Sequence, residues 1–197
     1  DRSRNEFAAE IGARLAFSAI RNNDRVGLML VTEDTELYLP PRKGRRHVLR
    51  LIRELLAFER KHRGTDLRRA LETVMRVLPR RAVVFLISDM LDSDYSQALN
   101  VAARRHDLIA LRPLDWRELR MPDAGILNFE DIESGHLCSF NSGSKRMRRR
   151  FTLESGGLRL QAENLCRRAG VDLVDLYNGE DVVKPLMQLF RMREKRR

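Results

Sequence analysis

Two residues with oxygen-bearing side chains stand where ligands commonly bind in α/β proteins. Asp89 follows the continuous apolar run Ala82–Ile87 after one serine, Ser88, and Thr65 follows Gly64 directly before a helical pattern. Ligands in parallel sheets sit beyond the carboxyl ends of the strands, and hard cations such as Mg²⁺ prefer oxygen ligands. Thr65 and Asp89 are therefore candidates for one binding rim at this end of a sheet.

The same residues also have a structural interpretation. Thr65 is well placed as the N-cap of the following helix, and the charge of Asp66 beside it suits the helix dipole. Asp89 could cap the helix that follows it or close a turn, helped by Asp92 and Ser93. Local spacing favours these roles, so both interpretations stay open at this stage.

The elements that must position these residues follow the order of an α/β fold with a mainly parallel sheet. After strand Leu108–Leu111 the pattern predicts a β-hairpin insertion near residues 126–140, a helix over Lys145–Ala169, a strand and a last helix. Pro40-Pro41 is expected to end the second strand, and Gly156-Gly157 to interrupt the long helix. A chain of 197 residues without repeats is expected to form a single domain. The earlier predicted elements are a helix up to Arg21, strands Val26–Val31 and Glu36–Leu39, helices over residues 48–58 and 67–78, strand Ala82–Ile87 and helix Ser93–Arg105.

One strand is missing from this order. A doubly wound sheet usually opens with a central strand, whereas this chain opens with a helix. We expect the first strand to lie upstream of Asp1, which would make the chain a fragment. Otherwise Val26–Val31 and Ala82–Ile87 pair directly, or a neighbouring molecule fills the gap.

Charge offers a second functional hypothesis. Lys plus Arg number 38 against 28 Asp plus Glu, which gives a formal net charge of +10. Clustered cations suit phosphate or an acidic partner. Aromatic residues are only 6% of the chain and provide no stacking platform between the cations, which argues against nucleic acid. The two clusters consist of Arg42, Lys43, Arg45 and Arg46, and of Lys145, Arg146, Arg148, Arg149 and Arg150.

The sequence does not predict an enzyme. It contains no Gly-x-Ser-x-Gly, His-Glu-x-x-His, phosphate-loop or dinucleotide motif. The four histidines, which we expect to be solvated or singly hydrogen-bonded, lack metal-ligand spacing, and Cys166 is expected in the core. Two cysteines that do not make a disulfide framework favour a reducing, cytoplasmic setting. No apolar run approaches the roughly 20 residues of a membrane helix. The histidines are His47, His62, His106 and His136.

Six segments occur in the order found in one bacterial family. On them the chain resembles the von Willebrand factor A-like domain-of-unknown-function family fifty-eight, whose genes often lie beside MoxR-type AAA+ ATPases. Trp116 stands where members commonly have proline. The segments are Asn23–Leu28, Leu39–Gly44, Gly64–Leu67, Ile87–Asp89, Leu114–Leu119 and Glu130–Gly135.

The resemblance implies a Rossmann-like, three-layer A domain with a metal-ion-dependent adhesion site. Such a site combines a DxSxS motif after the first strand with a threonine and an aspartate, which Thr65 and Asp89 match. The DxSxS motif is absent, and Asp1-Arg2-Ser3 imitates only its start. The resemblance therefore implies Mg²⁺ for the full-length protein and no tight Mg²⁺ here.

The function that the resemblance implies is a non-catalytic interaction module. Its contact rim would consist of Thr65, Asp66, Ser88 and Asp89, and its partner would be a MoxR-type ATPase in chaperone or assembly work. Binding of nucleic acid or an acidic surface through the two basic clusters is the alternative.

Overall fold

Helices and strands both occur along the whole length of the computed structural model, which describes residues 3–62, 64–116, 122–130 and 137–195. Most predicted elements are present, with ends that differ by a few residues. The elements are α1 (Arg4–Arg21), β1 (Val26–Val31), β2 (Thr35–Arg42), α2 (Arg45–Leu56), α3 (Leu67–Val77), β3 (Val83–Ile87), α4 (Ser96–Arg105), β4 (Asp107–Leu114), β5 (Ile126–Glu130), β6 (Leu137–Asn141), α5 (Lys145–Ala169), β7 (Asp172–Tyr177) and α6 (Val183–Lys195).

A three-stranded parallel sheet in the order β3-β4-β7 lies at the centre of the fold. Val83 pairs with Asp107 at one end of β3, and Leu114 pairs with Tyr177 at the end of β4. The middle strand, β4, is buried from its second residue to its last, as a parallel strand between two neighbours must be. This arrangement confirms an α/β fold with a parallel sheet.

Helices cover both faces of this sheet. On one face, Phe7 and Ile11 of α1 pack with Ile109, Leu111 and residues of α6 in one buried cluster. On the other face, α3, α4 and α5 surround Leu108 and Ala110. Because side chains alternate along a strand, the neighbouring residues of β4 serve opposite faces.

The strands β1 and β2 form a separate antiparallel ribbon. The prediction that Pro40-Pro41 ends the second strand is wrong, because β2 runs through both prolines to Arg42. The pairing shifts by one residue there, since Val26 pairs with Arg42 and Leu28 with Leu39. Such irregularities tolerate prolines, which have no N–H to donate.

No strand pairing joins this ribbon to the parallel sheet among the described residues. In the described part of the chain, β1 pairs with β2 alone and β3 with β4 alone, so the predicted alternative of direct pairing is not observed. Helix α1 connects the two sides. A Cβ at Gly12 would lie 2.7 Å from Leu55 Cδ2 of α2 and 3.6 Å from Ile87 Cδ1 of β3.

The long helix α5 spans the predicted range without a break. The prediction that Gly156-Gly157 interrupts it is wrong, since all 25 residues are helical. The helix begins after Ser144, whose hydroxyl accepts from Met147 N, and ends at Gly170 with a φ of 70°. Before it, β5 and β6 form the predicted hairpin, whose connection at 131–136 lies outside the described residues.

His106 is an exception among the histidines. His47 Nε2 lies 2.9 Å from Val26 O, and His62 is exposed, as predicted. His106 is only 1% exposed, and neither ring nitrogen has a hydrogen-bond partner among the described residues. Burial, followed by the nearby charge of Arg105, lowers the pKa of His106. His136 lies outside the described residues.

This burial makes stability depend on pH. The unfolded chain takes up a proton on His106 below about pH 6.5, whereas the folded chain resists it. The free energy of unfolding should therefore fall as the pH is lowered from about 7.5 to 5.5. His106→Leu should lose less stability over this range in urea titrations than the wild type does. His62→Leu, an exposed control, should behave like the wild type, and an equal loss in all three proteins would contradict the assignment.

Candidate functional site

The chain segments that contain Thr65 and Asp89 meet at the carboxyl end of β3. Leu67 N, at the start of α3, donates to Asp92 Oδ2 at 2.6 Å, which ties the loop after β3 to this helix. Asp66 N donates to the carbonyl of Thr32, directly after β1, at 3.0 Å. The end of β1, the end of β3 and the start of α3 therefore form one rim, as strand-end reasoning predicts.

Asp66, and not Thr65, caps α3. Asp66 Oδ1 accepts a hydrogen bond from Arg69 N at 2.8 Å, and its other oxygen lies 3.2 Å from Arg69 Nε. The alternative prediction of Thr65 as the N-cap is thus wrong, and the Thr65 side chain is exposed. The Thr65 hydroxyl therefore takes no part in capping the start of α3.

Asp89 is paired with a residue of the first helix. Arg4 Nη1 donates to Asp89 Oδ2, and Leu91 N lies 3.3 Å from Asp89 Oδ1. Ser88 Oγ accepts from Met90 N at 3.0 Å, and Met90 has a left-handed φ of 62°. Asp89 closes a turn, as its structural interpretation predicts.

The prediction that Asp89, helped by Asp92 and Ser93, caps the next helix is wrong. Helix α4 begins later, after Tyr95, whose side chain makes no capping hydrogen bond with the helix. Asp92 Oδ2 accepts a hydrogen bond from Leu67 N of α3 instead. The side chains after β3 therefore hold the rim together rather than start the next helix.

Two carboxylates of the β1–β2 ribbon hold the segment before Thr65. Glu33 Oε1 accepts from Gly64 N at 3.2 Å, and a Cβ at Gly64 would lie only 2.6 Å from the same oxygen. A larger residue at position 64 would require the exposed Glu33 side chain to move. Glu36 accepts from Thr32 Oγ1 at 2.7 Å and from Lys61 N at 3.0 Å, and these bonds, Thr32 first, lower the pKa of Glu36.

The rim does not fit a tight site for a hard cation. Thr65 and Asp89 together offer one carboxylate, and the guanidinium of Arg4 already binds it. The described residues contain no group of three or more His, Cys, Asp or Glu side chains that could hold a metal. Mg²⁺ needs about six oxygens and keeps several waters when few are anionic. What the rim presents is a set of hydrogen-bonding and charged groups.

Sequence reasoning missed two long-range contacts of this rim, one between Arg4 and Asp89 and one between Asp92 and Leu67. Ser3 and Glu6 form a capping box that starts α1 at Arg4, and this Ser-x-x-Glu pattern can be read from the sequence. The contact between Arg4 and Asp89 joins residues far apart in the chain, so no local pattern predicts it. The same holds for the bond between Asp92 and Leu67.

The two basic clusters differ in how free their side chains are. Both are largely exposed, the first at the end of β2 and start of α2 and the second at the start of α5. Arg148 is an exception, because it donates to Ser142 O and lies 3.1 Å from Asp123 Oδ2. Its role is to fix the start of α5 against the preceding loop.

A buried ionic cluster lies between β4, β7 and α5. Arg112 is 1% exposed; its Nε donates to Asp175 Oδ1 at 2.8 Å and its Nη2 to Glu163 Oε1 at 3.0 Å. Arg159 Nη2 also donates to Asp175, at 2.8 Å. Burial disfavours the charge of Arg112, but the bonds with Asp175 and then Glu163 outweigh it and raise its pKa.

A cavity of about 500 Å³ opens beside this cluster and is lined by Arg112, Cys166, Arg167 and Asp175, among others. Cys166 is buried as predicted, and burial raises its pKa to about 11. A thiol with such a pKa is a poor nucleophile at neutral pH. The charges of the cluster are paired with one another.

The fold and rim define an α/β protein whose polar loops gather at one end of a parallel sheet. Residues 1–157 match the family described as Protein of unknown function DUF58, and the chain belongs to this family. It is similar to uncharacterised proteins of Mycobacterium tuberculosis and Mycobacterium bovis, with 25% identity over 193 residues, 96% of this chain and 61% of theirs. A Mycobacterium avium uncharacterised protein is 26% identical over 160 residues, 80% of this chain and 94% of that protein.

The chain thus spans 61% of the length of the Mycobacterium tuberculosis and Mycobacterium bovis relatives. No solved structure shows significant similarity to it. Within the described ranges, no helix is both long enough and apolar enough to cross a membrane.

Proposed function

We propose that this chain is a non-catalytic protein-interaction module, with a contact rim formed by Thr65, Asp66, Ser88 and Asp89. The observation that carries the proposal is the Asp92–Leu67 hydrogen bond of 2.6 Å, which brings the two predicted segments to one surface. The exposed Thr65 hydroxyl and the half-buried Asp89 carboxylate supply polar groups there.

The proposed fold type is the Rossmann-like von Willebrand factor A domain. The parallel sheet with helices on both faces supports it, as does the edge of β3 that pairs with no described strand. In the full-length protein, we propose, a DxSxS motif would complete a Mg²⁺ site with Thr65 and Asp89. The proposed partner is a MoxR-type AAA+ ATPase in chaperone or assembly work, and the proposed location is the cytoplasm.

Arg4 supplies the positive charge that a cation would otherwise bring to Asp89. Asp89 and Arg4 are each about one-third exposed at their side chains, so a partner can reach the pair. An exposed pair of this kind contributes little to stability, typically about 0–1 kcal/mol. A partner group can therefore displace Arg4 from Asp89 at small cost.

The test is a titration of a purified MoxR-type ATPase from the same organism with this chain, followed by fluorescence anisotropy. Asp89→Asn should weaken binding about tenfold or more, because it removes the contact carboxylate. Arg4→Gln is the matched control, since it breaks the same ion pair but leaves the carboxylate. It should keep or strengthen binding.

Equal loss in Asp89→Asn and Arg4→Gln would contradict a direct contact by Asp89. Calorimetric titration of this chain with Mg²⁺ should show no micromolar binding, and such binding would contradict the described geometry. Steep weakening by salt, together with retained binding in Asp89→Asn, would favour the basic clusters instead.

A further inference from the structure

The outward face of α5 has no partner in the described structure. Ala162 and Cys166 on its inner face are 2% and 1% exposed, whereas Leu153 and Leu160 are 67% and 60% exposed. Leu153 lies nine residues, about two and a half turns, before Ala162 and therefore faces the opposite way. Two large apolar side chains thus project into solvent one above the other.

Seven residues on this face follow the spacing of a helix-packing seam. Their separations alternate between four and three residues, the 3.5-residue repeat by which one helix packs along another. The outer seam, as we call it, is apolar in its middle and basic at its ends. It consists of Arg146, Arg150, Leu153, Gly157, Leu160, Asn164 and Arg167.

The middle of the outer seam contains glycines that the fold of this chain does not require. A Cβ at Gly156 or Gly157 would meet no described atom within 4 Å outside its own stretch of helix. Neither residue has a left-handed φ. Glycine inside a helix is less favourable than alanine. Because this fold does not require the two glycines, their presence needs another explanation. Close approach of another backbone is the usual one.

The charges of the outer seam indicate what approaches it. None of its seven residues is acidic, and Glu154 beside it lies 2.7 Å from Arg150. Arg146 in the seam, and Arg149 and Arg168 beside its two ends, have no ion pair within the described part of the chain, and Arg167 donates to Asn164 of the seam. A second copy of this helix would set arginine against arginine in either direction, which is unfavourable. An acidic partner has the complementary charge.

We propose that the outer seam binds an amphipathic helix of another protein, with small and apolar residues over Gly156-Gly157 and acidic residues at both ends. This surface is distinct from the rim of Thr65 and Asp89. An anionic membrane or nucleic acid would complement the charge of the arginines. Neither would pack closely against the backbone at Gly156-Gly157 between two leucines. A helix does, because glycine lets its backbone approach while Leu153 and Leu160 pack on either side.

The probe for the test is a synthetic helical peptide of about three heptads, with leucine and alanine along its seam and glutamate at both ends. A peptide with lysine in place of glutamate is the control. The chain should bind the first peptide and not the second. The double variant Gly156→Ala/Gly157→Ala should raise Tm by about 2–4 °C for each alanine, while it weakens peptide binding about tenfold.

Leu153→Ser should also weaken binding about tenfold. Leu56→Ser is its matched control, since Leu56 of α2 is 64% exposed and lies outside the outer seam. It should leave binding unchanged. A lower Tm in the alanine variant would show that the glycines serve this fold and would overturn the proposal. So would equal binding of both peptides, or variants that weaken binding to anionic vesicles or duplex DNA but not to the acidic peptide.

Discussion

Replacing Asp175 by alanine is expected to lower the free energy of unfolding by about 3–5 kcal/mol. Arg112 is 1% exposed, and Asp175 accepts two of its hydrogen bonds, at 2.8 and 3.1 Å. Without that carboxylate, the buried guanidinium keeps Glu163 and the carbonyl of Arg159 as its partners among the described residues. It cannot escape by losing its proton, because a guanidinium stays protonated in proteins. Urea unfolding followed by circular dichroism measures the loss.

Two further variants serve as controls for Asp175→Ala. The double variant Arg112→Met/Asp175→Leu should recover most of the loss, since an apolar pair of similar volume needs no burial of charge. Glu154→Ala breaks the exposed pair with Arg150 and should change stability by less than about 0.5 kcal/mol. A loss below about 1 kcal/mol in Asp175→Ala would mean that water or Glu163 satisfies Arg112 equally well.

The second large effect is expected from Ile11→Ala, which should cost about 2–5 kcal/mol. Ile11 is 0% exposed and packs in one cluster with Ile109 and Leu111 of β4. Truncation removes buried apolar surface and leaves a cavity that the sheet cannot close. Denaturant titration of the variant measures the cost directly.

Phe17→Ala is the control on the same helix, because Phe17 is 51% exposed. It should change stability by no more than about 0.5 kcal/mol. Similar costs for both variants would contradict the packing of α1 against the parallel sheet. Helix α1 also positions Arg4 against Asp89, so the Ile11 variant should alter the rim as well as the core.

Elements with a strong local pattern were predictable from the sequence. Helix α5 has the predicted bounds because Ser144 caps its start and Gly170 ends it, and both residue types favour those positions. Strand β3 was predicted to within one residue from its apolar run. The meeting of the Thr65 and Asp89 segments followed from the rule that parallel strands end at one edge.

Local rules failed where two neighbouring residues suit the same role or where tertiary packing decides. Thr65 and Asp66 can both cap a helix, and the backbone selected Asp66. His106 lies between Arg105 and Asp107, so the sequence predicts solvent around it. The strand that follows, β4, runs into the core, and the His106 side chain directly before it is buried as well.

The buried ionic cluster was not predicted at all. The apolar run predicts that β4 ends at Leu111, yet the strand continues through Arg112 to Leu114. The partners that allow this, Glu163 and Asp175, lie 51 and 63 residues further along the chain. A charge in a central strand is stable only with such partners, and their pairing is a property of the folded chain.

The edge of β3 that pairs with no described strand bears on how the chain behaves in concentrated solution. Unsatisfied N–H and C=O groups along the edge of an apolar strand can recruit the strand of another molecule. The five residues Val83–Ile87 are uncharged and apolar, a composition that promotes cross-β stacking. Arg80, Arg81 and Asp89 flank them as charged gatekeepers. Solubility of the chain in isolation therefore depends on those charges, and high salt, which screens them, favours aggregation through this edge.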